Sequence, residues 1–127
     1  MVSFDDLKLE SGVPIYLQII NHLKTGIAAG TVTDGEELPS RRTLSALLGV
    51  NPNTIQKAFR MLEEEGLISS HTGAKSCVSL SPEQARALGR ALPDGQAEQF
   101  IAQMKAMGLT CDQSVELVRR LWKEEEG

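Results

Sequence analysis

The segment from Leu38 to Ile68, LPSRRTLSALLGVNPNTIQKAFRMLEEEGLI, is the strongest constraint on the fold of this chain. It spells two short helices and the turn between them. Ser40 is a natural N-cap for the first, whose apolar residues are Leu44, Leu47 and Leu48. Gly49 supplies a left-handed turn and Val50 plugs the gap between the helices. Asn51 caps the second helix and Pro52 opens it. In that second helix Ile55, Ala58, Phe59 and Leu62 recur at i, i+3, i+4 and i+7, and Gly66 ends it. The opposite face carries Asn53, Gln56, Lys57 and Arg60. Amides and bases on an exposed helix suit base edges and phosphates in a major groove, and a helix-turn-helix presents its second helix in this way.

The flanking segments extend the pattern. Residues 1–12 are polar apart from Phe4 and Leu7 among their few apolar side chains, and read as a loose arm. Pro14 opens a helix over 14–29, with Tyr16, Ile19, Ile20, Leu23 and Ile27 as its stripe and Gly30 as its cap. Residues 31–39 form a loop with an Asp-Gly turn. After Gly66, the runs Leu67–His71 and Ser76–Leu80 around T-G-A-K read as a hairpin, which after a helix-turn-helix is a wing. In the wing, Gly73 serves the turn, and with it His71, Thr72 and Lys75 complete the candidate DNA-binding set, as residues able to touch backbone or minor groove. The fold class is therefore mainly α with a small β-hairpin: a winged helix-turn-helix over 13–80, then a helical region over 81–127.

That last region differs in character. Ser81-Pro82 starts a helix with Ala85, Leu88 and Leu92, and Pro93-Asp94-Gly95 is expected to break or kink it. Ala97, Phe100, Ile101, Met104 and Met107 form a second stripe, closed by Gly108. Thr110 and Gln113 have the spacing of a capping box, and the final helix carries Val115, Val118, Leu121 and Trp122 before Glu124–Glu126 fray into solvent. Short helices cannot bury broad apolar faces alone. Phe100, Ile101, Met104, Val118, Leu121 and Trp122 are thus expected to meet a second copy of the chain. A two-fold dimer also gives two half-sites on DNA. About 47 residues after Leu80 leave little room for the ~300 Å³ or more that small ligands occupy.

Charge bears on the partner. The net charge of −4 counts against nucleic acid until its distribution is considered. Between residues 36 and 78 the acids Glu36, Glu37, Glu63, Glu64 and Glu65 lie at the edges of the two-helix segment, while Arg41, Arg42, Lys57 and Arg60 lie between them and Lys75 beyond. A locally basic face on an acidic protein predicts modest affinity and strong salt dependence. Aromatic residues are 4% of the chain, so the core is built from Leu, Ile, Val and Ala. No run approaches the ~20 apolar residues of a membrane span, and the acidic N-terminus lacks the pattern of a signal peptide; a cytoplasmic location is expected. Cys77 and Cys111 read as reduced, structural thiols, and His22 and His71 form no metal-binding cluster. No cofactor or metal is called for, and no catalytic constellation is visible.

The linked motifs resemble the GntR family of bacterial transcription regulators, in its short YtrA-type subfamily. P-I-Y-L-Q-I opens the first helix, G-T-V-T-D-G-E-E-L-P-S-R matches the family linker, and L-L-G-V-N-P-N-T-I-Q-K-A-F-R-M-L-E-E-E-G-L-I matches its recognition segment. The resemblance implies a homodimeric repressor that binds an inverted-repeat operator in double-stranded DNA, and a connection with transport operons. It makes Arg42, after the L-P-S turn, the first candidate for a phosphate contact, with Ser40 as cap and possible phosphate ligand and Arg41 as an additional base. Asn53, Thr54, Gln56, Lys57 and Arg60 become the groove-facing set. The wing departs from the family pattern, with Ala74 at a commonly basic position and Cys77 at a commonly aromatic one. The competing reading is a winged-helix module that binds protein without an operator. Any small-molecule effector is unknown.

Overall fold

The computed structural model describes residues 1–71 and 75–126. In chain order the elements are α1 (Ile15–Ala29), α2 (Arg41–Leu48), α3 (Pro52–Glu64), β1 (Ile68–His71), β2 (Lys75–Val78), α4 (Pro82–Ala106) and α5 (Cys111–Glu126). Two compact units result, Met1–Leu92 and Pro93–Gly127, so the first runs beyond the 80/81 boundary expected from sequence. Ala85 and Leu88 explain the extension, because both pack on the core of the first unit. Among the described residues no helix is long and apolar enough to cross a membrane.

The core of the first unit lies between α1 and α3. Ile19, Ile20, Leu23 and Ile27 of α1 are buried, as are Ile55, Ala58, Phe59 and Leu62 of α3. Both stripes follow the spacing read from sequence, and apolar surface removed from water on this scale drives the packing. Lys24 closes the seam at its edge with an ion pair to Glu65, 2.9 Å away. Pro14 stands at the N-cap of α1 rather than in its first turn.

The caps fix where α2 and α3 begin. The Ser40 hydroxyl accepts from the Thr43 N–H at 3.0 Å, and the Asn51 side chain accepts from the Asn53 N–H at 2.8 Å. Between them Gly49 adopts φ 68°, a left-handed conformation that a side chain would strain. Its N–H and that of Val50 both donate to the Ser45 carbonyl, and the Ser45 hydroxyl donates back to the Val50 carbonyl. The turn is therefore pinned from both ends. Of the three apolar residues of α2, Leu44 is fully buried and Leu48 half-buried, while Leu47 is 51% exposed. In so short a helix Leu44 and Leu48, one turn apart, make the inner contact and Leu47 falls to the other side.

β1 and β2 pair antiparallel, with Ile68 opposite Val78 and Ser69 opposite Cys77. The linker before α2 joins them as a third extended segment. The Val78 N–H donates to the Glu36 carbonyl at 2.8 Å and the Leu38 N–H to the Ser76 carbonyl at 2.9 Å. Cys77 is half-buried in this hairpin.

Residues 1–12 are not a loose arm. Val2 is 4% and Phe4 2% exposed, both within the core cluster. The Val2 N–H donates to the Glu37 carbonyl at 2.9 Å, Phe4 packs on His22 with ring centroids 4.8 Å apart, and His22 Nε2 bonds the Ser3 carbonyl at 2.8 Å. Two apolar side chains and a backbone bond outweigh the polar composition of the segment.

In the helical region the expected break at Pro93-Asp94-Gly95 is absent, and α4 is continuous from Pro82 to Ala106. A proline removes one backbone hydrogen bond, and the good helix formers on either side sustain the helix across it. The capping box before α5 is formed: Gln113 N–H donates to Thr110 Oγ1 at 3.2 Å and Thr110 N–H to Gln113 Oε1 at 2.9 Å. Nor does the chain fray at Glu124; the helix continues to Glu126, whose carboxylate accepts from Trp122 Nε1 at 2.8 Å.

Met104, 8% exposed, is the buried apolar side chain of the second unit. Ile101, Met107, Val115, Val118, Leu121 and Trp122 all face solvent, Trp122 at 66%. Between the end of α4 and α5 lies an open apolar groove of about 590 Å³, lined by Phe100, Ile101, Met104, Leu109, Val115 and Val118 among others. The expectation that the tail is too short for a concavity of ligand size is therefore not met. Cys111 is exposed on the rim of this groove rather than buried as a structural thiol.

Candidate nucleic-acid interface

α3 is amphipathic to its ends. Its inner face is sealed into the core, and Asn53, Gln56, Lys57 and Arg60 are all exposed on the outer one. Thr54 is half-buried and is the least available of the groove-facing set. Asn53, Gln56 and Lys57 lie in the first two turns, the part of a recognition helix that enters a groove most deeply.

The N-terminus of α2 adds Arg41 and Arg42, both exposed. Among the described residues neither makes an ion pair. The free N–H groups of a helix start favour anions, so two exposed guanidinium groups there have the chemistry to hold a phosphate. The Ser40 hydroxyl is already committed. It accepts from the Thr43 N–H and donates to Thr43 Oγ1 at 2.8 Å, which makes it a cap before anything else.

The wing contributes Lys75, exposed and 3.2 Å from Glu37 Oε1. His71 is paired with Lys75 in the strand register, while the expected contacts from Thr72 and Gly73 fall outside the described residues. Arg60 is held by Glu64 at 4.0 Å one turn along α3. Lys57 has a different holder: its Nζ lies 4.0 Å above the centroid of the Tyr16 ring, at the start of α1. This contact joins residues far apart in sequence, and no local signal foretells it.

The acids at the end of α3 sit away from its first two turns. At 1.5 Å per residue, Glu63 is about 15 Å along the helix axis from Asn53, beyond the ~8–10 Å over which exposed charges interact at moderate salt. Glu63 is also bonded to Ser70, Glu64 to Arg60 and Glu65 to Lys24. From Arg41 to Arg60 the sequence carries no acid, so the start of α2 and the N-terminal half of α3 supply only basic and neutral polar groups to this surface. Among the described residues no three His, Cys, Asp or Glu side chains gather as a metal site.

Comparison with known proteins places this arrangement. Residues 15–78 match the profile of the bacterial regulatory proteins, gntR family. The chain is 31% identical over 114 residues to the HTH-type transcriptional regulator YhcF of Bacillus subtilis, covering 90% of this chain and 94% of that protein. It is 30% identical over 118 residues to the HTH-type transcriptional repressor YtrA of the same organism, covering 92% and 91%. Among solved structures, a GntR family transcriptional regulator from Listeria monocytogenes superposes with a TM-score of 0.77 at 30% identity, covering 88% of this chain and 98% of that one. The DNA-binding domain of AraR in complex with operator ORE1 matches 57% of this chain and 90% of its own, with a TM-score of 0.50 at 28% identity. These are transcription regulators and not enzymes. With its winged helix-turn-helix and short helical tail, the chain belongs to the GntR family of bacterial regulatory proteins, on its YtrA-like branch.

Proposed function

We propose that this protein is a repressor that binds an inverted-repeat operator in double-stranded DNA as a homodimer. The observation that carries the reading is α3 itself: a helix capped at its start, sealed on one face, and exposing Asn53, Gln56, Lys57 and Arg60 on the other. Asn53 and Gln56 suit the adenine edge in the major groove, and Lys57 and Arg60 suit guanine or phosphate. Arg42 and Arg41 take phosphates at the start of α2, and Lys75 takes the backbone beside the wing. The operator complex of AraR and the repressor function named for YtrA support this assignment.

The tail supplies the pairing surface. Ile101, Val118, Leu121 and Trp122 are between 40% and 66% exposed, more apolar surface than two helices leave to water without a partner. Phe100 and Met104 line the groove between these helices, and a second copy seated on this face would cover the apolar side chains they leave to solvent. Dimerisation in turn brings two recognition helices to half-sites at fixed spacing, which raises the effective concentration at the second half-site.

The test uses the full chain and its own upstream DNA. Anisotropy titration is expected to show preference for an inverted repeat over random duplex. Ile101→Asp changes a side chain that is 48% exposed, so the protomer keeps its fold while the apolar pairing face is broken. Light scattering should then give a monomer, with operator affinity reduced 100-fold or more. A dimer of undiminished affinity would place the pairing surface elsewhere.

A further inference from the structure

The cation–π contact between Lys57 and Tyr16 has no part in the core, since the ammonium lies outside it. Tyr16 is half-buried and packs against the core cluster, so its ring is fixed by the α1–α3 interface. Lys57 Nζ rests 4.0 Å above that ring, on the exposed side of α3. The other bases held near this surface are held by carboxylates: Arg60 by Glu64 and Lys75 by Glu37. A carboxylate fixes a cation but cancels its charge. An aromatic face attracts the cation through its quadrupole and leaves the charge whole.

We propose that Tyr16 is a positioning and specificity-determining residue for the DNA-reading face, acting through Lys57. The proposal rests on the operator reading above. The ring restricts a long, flexible side chain to one direction before DNA arrives, so less rotamer entropy is lost on binding. Lys57 lies four residues after Asn53, so its side chain starts in the same row as that amide, one position round the helix from Gln56. Its direction decides which neighbouring phosphate or guanine it meets, and through that the register in which Asn53 and Gln56 meet their base pairs. Tyr16 touches no base in this account. It sets the geometry of a residue that does.

The measurement is a double-mutant cycle on the operator and on random duplex, with the full-length protein. Tyr16→Leu should weaken operator binding about 2- to 5-fold, the range of a cation–π contact at an exposed site, and random duplex less. The salt slope should stay as in the wild type, because no phosphate contact is removed. Tyr16→Phe, which keeps the ring, should restore wild-type affinity. In a Lys57→Met background Tyr16→Leu should have no further effect. In the free protein, proton NMR should show the Lys57 ε-protons shifted upfield by the ring, and Tyr16→Leu should abolish the shift. Tighter binding by Tyr16→Leu would mean that the ring competes with DNA for the lysine. A loss that persists in the Lys57→Met background, or a Tyr16→Phe protein as weak as Tyr16→Leu, would also overturn the positioning role. Absence of operator preference in the wild type overturns the operator reading and this role with it. Operator preference without Tyr16–Lys57 coupling overturns this role alone.

Discussion

Replacing Arg42 by alanine should flatten the salt dependence of DNA binding by a fixed amount. The proposed interface carries three bases, Arg41, Arg42 and Lys57, that no carboxylate holds among the described residues. If all three meet phosphate in both halves of a dimer, about six counterion sites are released, and log K should fall with log salt at a slope of about −5. Between 50 and 200 mM salt that is roughly a thousandfold loss of affinity. Contributions from Arg60 and Lys75 would steepen the slope toward about −9. Arg42→Ala removes one contact per protomer, so the slope should become shallower by about 2, with operator and random duplex weakened alike. Gln56→Ala is the contrasting variant: it should cost ~1–3 kcal/mol on the cognate site, relax preference at one base pair and leave the slope unchanged. The assay is fluorescence anisotropy on one operator and one scrambled duplex at four or more salt concentrations. A wild-type slope shallower than about −3 would mean that the basic groups of α2 and α3 do not meet the backbone together. An Arg42→Ala slope equal to the wild type would remove Arg42 from the phosphate set.

Three further outcomes are expected. Phe4→Ala should lower the unfolding free energy by about 3 kcal/mol, the low end for a buried phenylalanine because a terminal segment releases instead of leaving a void; chemical denaturation with intrinsic fluorescence measures it, and a change under 1 kcal/mol would restore the loose arm. Gly26→Ala should destabilise by about 1 kcal/mol despite a similar gain in helix propensity, since its new Cβ would lie 2.5 Å from Val32 Cγ2. The same substitution in a Val32→Ala background should lose that penalty, and thermal melting of the four proteins decides it. Glu37→Gln should raise affinity for duplex DNA about 2- to 5-fold at low salt by freeing Lys75 from a surface ion pair, and the gain should vanish at high salt.

The parts of this fold that were legible in sequence are those written in short windows. Ser40, Gly49 and Asn51-Pro52 each fix a backbone conformation within a few residues, and the α3 stripe repeats within two turns. Family membership follows from the same window. What sequence did not reveal depends on side chains that meet across the fold. Phe4 on His22, Tyr16 under Lys57 and Glu37 beside Lys75 are tertiary pairs with no periodicity to announce them. At Pro93 a local rule allowed a break or a kink, and the helix formers around it kept the helix unbroken. Leu47 shows the limit of counting apolar positions in an eight-residue helix, where the choice between neighbouring faces is made by the partner.

The extended segment before α2 has a mechanical consequence. Residues 36–38 are bonded to β2, and Ser40, two residues beyond Leu38, caps α2 directly ahead of Arg41 and Arg42. Buried Leu38 and Pro39 leave no slack between the two. The hairpin and the start of α2 are therefore the two jaws of a caliper of set opening. On the proposed reading, in which Lys75 and Arg41–Arg42 both meet the duplex, a groove whose width departs from that opening is expected to deform to reach both points. Discrimination among operators is then expected to include the stiffness of base steps that no side chain touches.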